Sequence, residues 1–295
     1  MCSVETPQFA AGRLVIYSDL FAMIDPNAFR EFEHRGWQSI PQQYHQAFGE
    51  LTIQSIEPLL DAAGVEQGTK LLDVASGPGY VAAAGVRRGA DVIGIDFSAS
   101  MVAAAQRRNP NVEFREGDAE LLPIEDGLFD AAVMNFGILH LARPDQALAE
   151  ACRVLRAGGR FAFTAWAKPE EAIAFGIVLR AIAAHGDPYV PLPEGPPFFR
   201  FSAPEECIRS LKASGFDSPQ VAKVQQTWRL PAAESLFEFM KGSTVRTAGL
   251  LRGQTSRALE KIRAATCEEL KNYHAGDSIE LPMPAILASA VKPER

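Results

Sequence analysis

The chain has 295 residues, 47% of them hydrophobic, with a formal charge of -7 and a pI near 5.4. That size and apolar content suffice for a large buried core in one elaborated domain or two. The negative balance and the lack of any Lys/Arg block argue against phosphate backbones and acidic membranes, so no nucleic-acid partner is expected. Cys2, Cys152, Cys207 and Cys267 stand singly, without zinc-site spacing or the density of a disulfide scaffold, which reads as reduced thiols in a cytosol. The segment MCSVETPQF lacks a leader pattern, and the apolar stretch 172–184 is short and interrupted by Arg180. A cytoplasmic protein without stable membrane insertion is expected, and a homodimer is compatible with this reading.

Residues 1–66 precede any regular alternation and read as an N-terminal helical lid. Within them one long helix is predicted over 41–63, where Tyr44, Phe48, Leu51, Ser55 and Leu59 recur with a period near 3.6. From residue 67 to 295 the chain reads as an α/β core. Short apolar strands are predicted at 70–75, 91–96, 112–117, 128–136 and 160–167, separated by helices at 79–88, after Ser98 or Ser100, and from Pro144 to about Arg156. A capping box at Ser202 and Glu205 opens a further helix, and strands return at 221–230 and 285–291. Two insertions, the Pro- and aromatic-rich 168–201 and the helical 232–276, break the rhythm and with the N-terminal segment form a candidate cap. The predicted fold is a Rossmann-like, seven-stranded, mostly parallel sheet with helices on both faces, topped by this helical cap.

The stretch LLDVASGPGYVAAAG, residues 71–85, puts a glycine turn between a strand and a helix, where a ligand can approach the backbone. Asp96 at the end of the second strand first suggests a dinucleotide and an NAD(P)-dependent oxidoreductase. However, Pro78 removes an amide, the third glycine is missing, Asp73 lies beneath the turn, and no Lys or Arg follows until Arg87. Such a turn suits a cationic ligand better than a diphosphate.

DVASGPG, followed by GIDFSASMVAAAQRR, EGDAELLPIEDGLFDAAV and NFGILHLARPDQALAEACRVLRAGGRFAFTAW, resembles the motif series of class I S-adenosylmethionine-dependent methyltransferases. The series is similar to the branch holding ubiquinone, menaquinone and other small-molecule methyltransferases, with Ala75 in place of the usual first glycine. The resemblance implies S-adenosylmethionine as cofactor and S-adenosylhomocysteine as product. It also implies roles: Ala75, Ser76 and Gly77 at the methionine end, Asp96 on the ribose, and Phe97 and Met101 against the adenine, with Asp73 and Gly79 of the same turn as further cofactor-binding candidates. Asp118 and Ala119 would meet the adenine edge, with Asn135 and Phe136 forming the cofactor-side floor. Asp73 is equally readable as a brace for the turn.

Methyl transfer from a sulfonium needs alignment and dryness more than a strong base, but a phenol or ring-carbon nucleophile gains from deprotonation. His140 is the candidate base, with Tyr44 a weaker catalytic candidate. Aromatic residues of the presumptive cap, including Tyr17, Phe21, Phe175, Phe199 and Trp228, point to a lipophilic or aromatic small-molecule acceptor. Arg200 or Arg246 is a candidate anchor for an anionic group. No carboxylate cluster follows the fourth strand, so no metal is expected. A cofactor-binding regulator without catalysis is the remaining alternative.

Overall fold

The computed structural model describes residues 25–276 and 278–294. Ten strands are present among the described residues: β1 (Lys70–Val74), β2 (Asp91–Asp96), β3 (Glu113–Glu116), β4 (Phe129–Asn135), β5 (Leu155–Trp166), β6 (Asp217–Val224), β7 (Thr227–Leu230), β8 (His274–Ala275), β9 (Ser278–Pro282) and β10 (Ala285–Val291). Seven form the main sheet in the order β3-β2-β1-β4-β5-β10-β6, and β10 alone runs against the others. The predicted Rossmann-like sheet is therefore the one observed.

The helices are α1 (Pro26–Ser39), α2 (Pro41–Thr52), α3 (Ile56–Ala62), α4 (Tyr80–Arg87), α5 (Ala99–Arg108), α6 (Pro144–Val154), α7 (Ile173–His185), α8 (Pro204–Ala213), α9 (Ala233–Gly242), α10 (Arg246–Arg252) and α11 (Ser256–Leu270). Neighbouring β1 residues show why both sheet faces are covered. Leu71 packs with α3, α4 and α5, whereas Leu72 packs with Leu148 and Ala151 of α6, and both leucines are wholly buried. A strand buried on both faces reads as a continuous apolar run.

The helix expected over 41–63 breaks at a tight turn, Ile53–Ser55. The side chain of Asn135 donates to the Thr52 carbonyl, while Ser55 Oγ donates to Asn135 Oδ1, so the end of β4 captures a backbone carbonyl that a continuous helix would use. Beyond the break, α3 lies on the sheet, so the expected lid and core share this stretch. The expected capping box is also absent: Ala203 precedes α8, Pro204 opens it, and Ser202 Oγ donates to the Phe199 carbonyl. The strand expected over 221–230 is two strands, because β7 leaves the main sheet to pair with β9, which also pairs with β8. The helices of 232–276 follow as predicted, as α9, α10 and α11.

Candidate active site

The chain builds outward from β1 to β2 and β3, then crosses back to β4, so the loops after β1 and β4 part at the middle of the sheet. A crevice opens there, at the carboxyl ends of the strands. Ala75 and Phe136, each the first residue after its strand, both adopt left-handed backbone at φ 54° and 58°. The two loops then touch: a Cβ on Gly137 would stand 2.6 Å from the Ala75 Cβ. Only glycine admits that approach.

One half of the crevice is polar at its base. Asp96 is 5% exposed, and its Oδ2 accepts from the Gly77 amide at 2.8 Å while Oδ1 accepts from Ser98 at 2.9 Å. It is buried and ties the glycine turn to the start of α5, because both loops converge on its carboxylate. Burial pushes the Asp96 carboxyl up to about 6 against the pull of those two amides. Asp73, 1% exposed, accepts from the Ala82 amide through Oδ2 at 3.0 Å, which is the bracing role. Its Oδ1 has no partner among the described residues, nor has Ser76 Oγ, and both residues line the crevice. Burial raises the Asp73 carboxyl to about 8.

Gly77, at φ 50°, leaves open space where a side chain would stand. Gly79 does not reach the crevice; it opens α4 in left-handed backbone, crowded by Phe114 and Asn109. Phe97, Met101, Asp118 and Ala119 line the crevice. From outside this lining, α1 holds three of the residues around it: Arg30 pairs with Asp118 at 2.6 Å, His34 meets Phe97 edge-on, and Gln38 accepts from Ser98 Oγ at 2.9 Å. Asn135 and Phe136 line the junction of the two halves. The Asn135 side chain is occupied by Ser55, Thr52 and Thr164, and Phe136 stacks on Trp166 with centroids 4.0 Å apart.

The other half is aromatic, lined by Trp37, Tyr44, Phe48, Phe175 and Phe198. His140 lies at its edge. The His140 Nδ1 is 3.0 Å from Glu33 Oε2, and Glu33, with no exposed surface, also accepts from Trp37 Nε1 at 3.0 Å and Arg246 Nε at 2.9 Å. Tyr44 stacks on Phe48, and burial pushes its phenol up to about 12. A phenol that holds its proton so firmly can donate a hydrogen bond but is a poor base, which sets Tyr44 aside as a proton acceptor.

The expected acceptor residues divide. Phe175 lines the crevice; Phe199 does not, and its neighbour Phe198 takes the place, because the two rings are edge-on and only one can face inward. Trp228 is buried beneath Phe48 with its Nε1 donating to the Ala47 carbonyl, so it supports α2 from behind. Tyr17 and Phe21 lie outside the described residues. Neither arginine is a free anion anchor. Arg246 is spent on Glu33 and the carbonyls of Pro196 and Leu139, and Arg200 on Glu206, Asp145 and Ser210. Sequence reasoning missed Glu33, which sits in FREFEHRGW among charged neighbours and looks like one more solvated helix residue. Its only signal was its i, i+4 spacing to Trp37.

Among the described residues no group of three or more His, Cys, Asp or Glu is arranged to hold a metal ion, and no helix is long and apolar enough to cross a membrane.

Residues 72–163 match a family profile described as a methyltransferase domain. A demethylmenaquinone methyltransferase of Thermus thermophilus is 35% identical over 175 residues, covering 53% of this chain and 78% of that relative. With this fold and these turns, the chain belongs to the class I S-adenosylmethionine-dependent methyltransferases. A second demethylmenaquinone methyltransferase, from Renibacterium salmoninarum, is 38% identical over 111 residues, which cover 38% of this chain and 47% of that relative. The chain thus spans about half the length of several curated relatives it matches. Among solved structures, a phosphoethanolamine N-methyltransferase 2 of Haemonchus contortus, in complex with S-adenosyl-L-methionine, has a TM-score of 0.55 at 20% identity, over 90% of this chain and 60% of that one; this likeness concerns the fold.

The residues fit the family's cofactor. An orphaned carboxylate oxygen, an orphaned hydroxyl and an open glycine turn meet at one end. Arg246, the only Lys or Arg among the described lining residues, is already paired. Membership of this family displaces the dinucleotide alternative.

Proposed function

We propose that this protein transfers a methyl group from S-adenosylmethionine to a small, apolar, aromatic acceptor, at oxygen or an activated ring carbon. The observation that carries the reading is the division of one crevice into an acidic half without a free base and an aromatic half beside His140. The demethylmenaquinone methyltransferase relatives support an aromatic acceptor.

When bound, the cofactor supplies an electrophilic methyl on a cationic sulfur that departs as a neutral thioether. The chain's own residues would do the rest. Asp73 Oδ1 and Ser76 Oγ accept from or face the cationic methionine end, and Asp96 accepts the ribose hydroxyls with its remaining lone pairs. Phe97 and Met101 hold the adenine, and Asp118 and Ala119 its edge. Trp37, Phe175 and Phe198 orient a flat acceptor and exclude water, which raises the effective concentration of the pair. The His140 Nε2 has no hydrogen-bond partner among the described residues and takes the acceptor's proton. Helices α1 and α2, with the insertions 168–201 and 232–276, act as the cap over both halves.

The test is transfer of labelled methyl from S-adenosylmethionine to a panel of phenols, hydroquinones, amines and diphosphate esters. Label is expected in phenols or hydroquinones. Tight cofactor binding with no labelled product would favour the non-catalytic regulator, and label only in diphosphate esters would contradict the aromatic reading.

A further inference from the structure

Glu33 lies on α1, 107 residues away in sequence from His140, yet its carboxylate is the sole hydrogen-bond partner of the His140 ring among the described residues. The acid has no exposed surface and gathers three donors: Arg246 Nε on Oε1, and both Trp37 Nε1 and His140 Nδ1 on Oε2. The cation on Arg246 is held in turn by two backbone carbonyls and lies over the Phe29 ring, its centre 4.4 Å from the ring centroid. A buried acid with this many donors is a costly arrangement unless each bond is made, and here each is made. Arginine and tryptophan can only donate, so Glu33 is an acceptor on both oxygens. The imidazole Nδ1 facing it must then carry the proton, which leaves the lone pair on Nε2. Asp96 is coupled to the His140 ring across the crevice, which Tyr44, Asp73, Tyr80 and Asp118 also line.

We propose that Glu33 is a positioning residue that fixes His140 with its proton on Nδ1 and its lone pair on Nε2 facing the acceptor, so that the base is complete only with α1 in place. This rests on the methyl-transfer reading for its purpose but not for its geometry. In the step it serves, the acceptor O–H proton passes to Nε2, and the freed electron pair of the acceptor forms the bond to the methyl carbon. The carbon–sulfur pair stays with the departing sulfur, so the positive charge lost there reappears on the imidazolium, against Glu33. Arg246 and Trp37 hold the carboxylate in register and touch no reacting atom. The role assigned to Arg246 is thereby the reverse of an anion anchor: it serves the enzyme's own acid, and the acceptor end carries no free cation among the described residues.

The test has two arms. In protein labelled with ¹⁵N-histidine, with the His140 ring signals identified by their loss in H140N, the expected wild-type state is a proton on Nδ1 and a bare Nε2. In E33Q, one amide oxygen must serve three donors, and the single tautomer is expected to give way to a mixture. A wild-type proton on Nε2 overturns the proposal. That arm needs no acceptor and no variant at position 33, so it decides the matter even if E33Q does not fold. The second arm uses 1,4-dihydroxynaphthalene as the methyl acceptor. E33Q is expected to lower kcat by about 100-fold, the lower range of general-base contributions, with the KM for S-adenosylmethionine within about twofold, and E33D is expected to recover part of kcat. If the wild type methylates this probe and E33Q keeps the same kcat, the proposal fails. If the wild type transfers no methyl to any acceptor, the methyl-transfer reading fails instead, and the tautomer still judges Glu33 separately.

Discussion

Replacing Asp73 with asparagine should strengthen the ligand-free fold while weakening the cofactor site. Asp73 is almost wholly buried, with one oxygen on the Ala82 amide and the other without a partner. Burial raises its carboxyl from an ordinary value of 3.8 to about 8. The folded chain therefore keeps a proton that the unfolded chain has released, so the contribution to stability is full below 3.8 and is lost as pH rises toward 8. At about 1.4 kcal/mol per pH unit, the loss at pH 7 is about 4 kcal/mol. Asparagine keeps an acceptor for Ala82 and cannot ionise, but leaves an unpaired amide N–H group where Oδ1 was, at about 1–3 kcal/mol. The net expectation for Asp73→Asn is a gain of about 1–3 kcal/mol at pH 7 by denaturant unfolding of the ligand-free protein. The gain should grow between pH 6 and pH 8, because only the wild type loses stability from this group there. Calorimetry should show weaker S-adenosylmethionine binding in the same variant, since asparagine, unlike aspartic acid, cannot release a proton to face the cation. A variant less stable than wild type at pH 7, or with the same pH slope, would refute this reasoning.

Other substitutions probe the remaining contacts. Asp96→Ala should reduce S-adenosylmethionine affinity at least tenfold, since hydrogen bonds to a charged group contribute about 1.5–3 kcal/mol each; unchanged affinity in calorimetry would count against the ribose role. Gly137→Ala forces a Cβ to within 2.6 Å of Ala75 and 2.8 Å of Met134, and should cost about 1–3 kcal/mol by overpacking, seen as a Tm lowered by several degrees. Gly77→Ala meets no atom, so thermal unfolding should change little beyond about 1–2 kcal/mol of left-handed strain, while cofactor affinity falls sharply; retained affinity would show that the open space is not used. Phe198→Ala should raise the acceptor KM several-fold with kcat less affected, whereas Phe199→Ala should act on stability alone, and the opposite pattern would reverse the assignment of the inward ring.

The parts legible in the sequence were those governed by local rules. The apolar runs of β1, β2, β4 and β10 and the Ser98 cap of α5 follow from alternation, burial and turn chemistry, and the observed elements follow them closely. The glycine turn and Asp96 were legible for the same reason. What was hidden depended on contacts between distant segments. The break after Thr52 is made by Asn135, 83 residues away in sequence, and no periodicity within 41–63 announces it. The choice of Phe198 over Phe199 and the withdrawal of Trp228 depend on how the cap packs. Glu33 is the clearest case: Glu31 and Glu33 are neighbours on one charged helix, and only the arrival of Arg246, from 213 residues further along, turns one of them into a buried acid.

The central claim is that the crevice takes a cationic sulfur donor and not a diphosphate. Equilibrium titration of the ligand-free protein with S-adenosylmethionine and, separately, with NADH tests it most directly. Saturable one-to-one binding of S-adenosylmethionine with no heat from NADH is the predicted result; saturable binding of NADH with none of S-adenosylmethionine would contradict it.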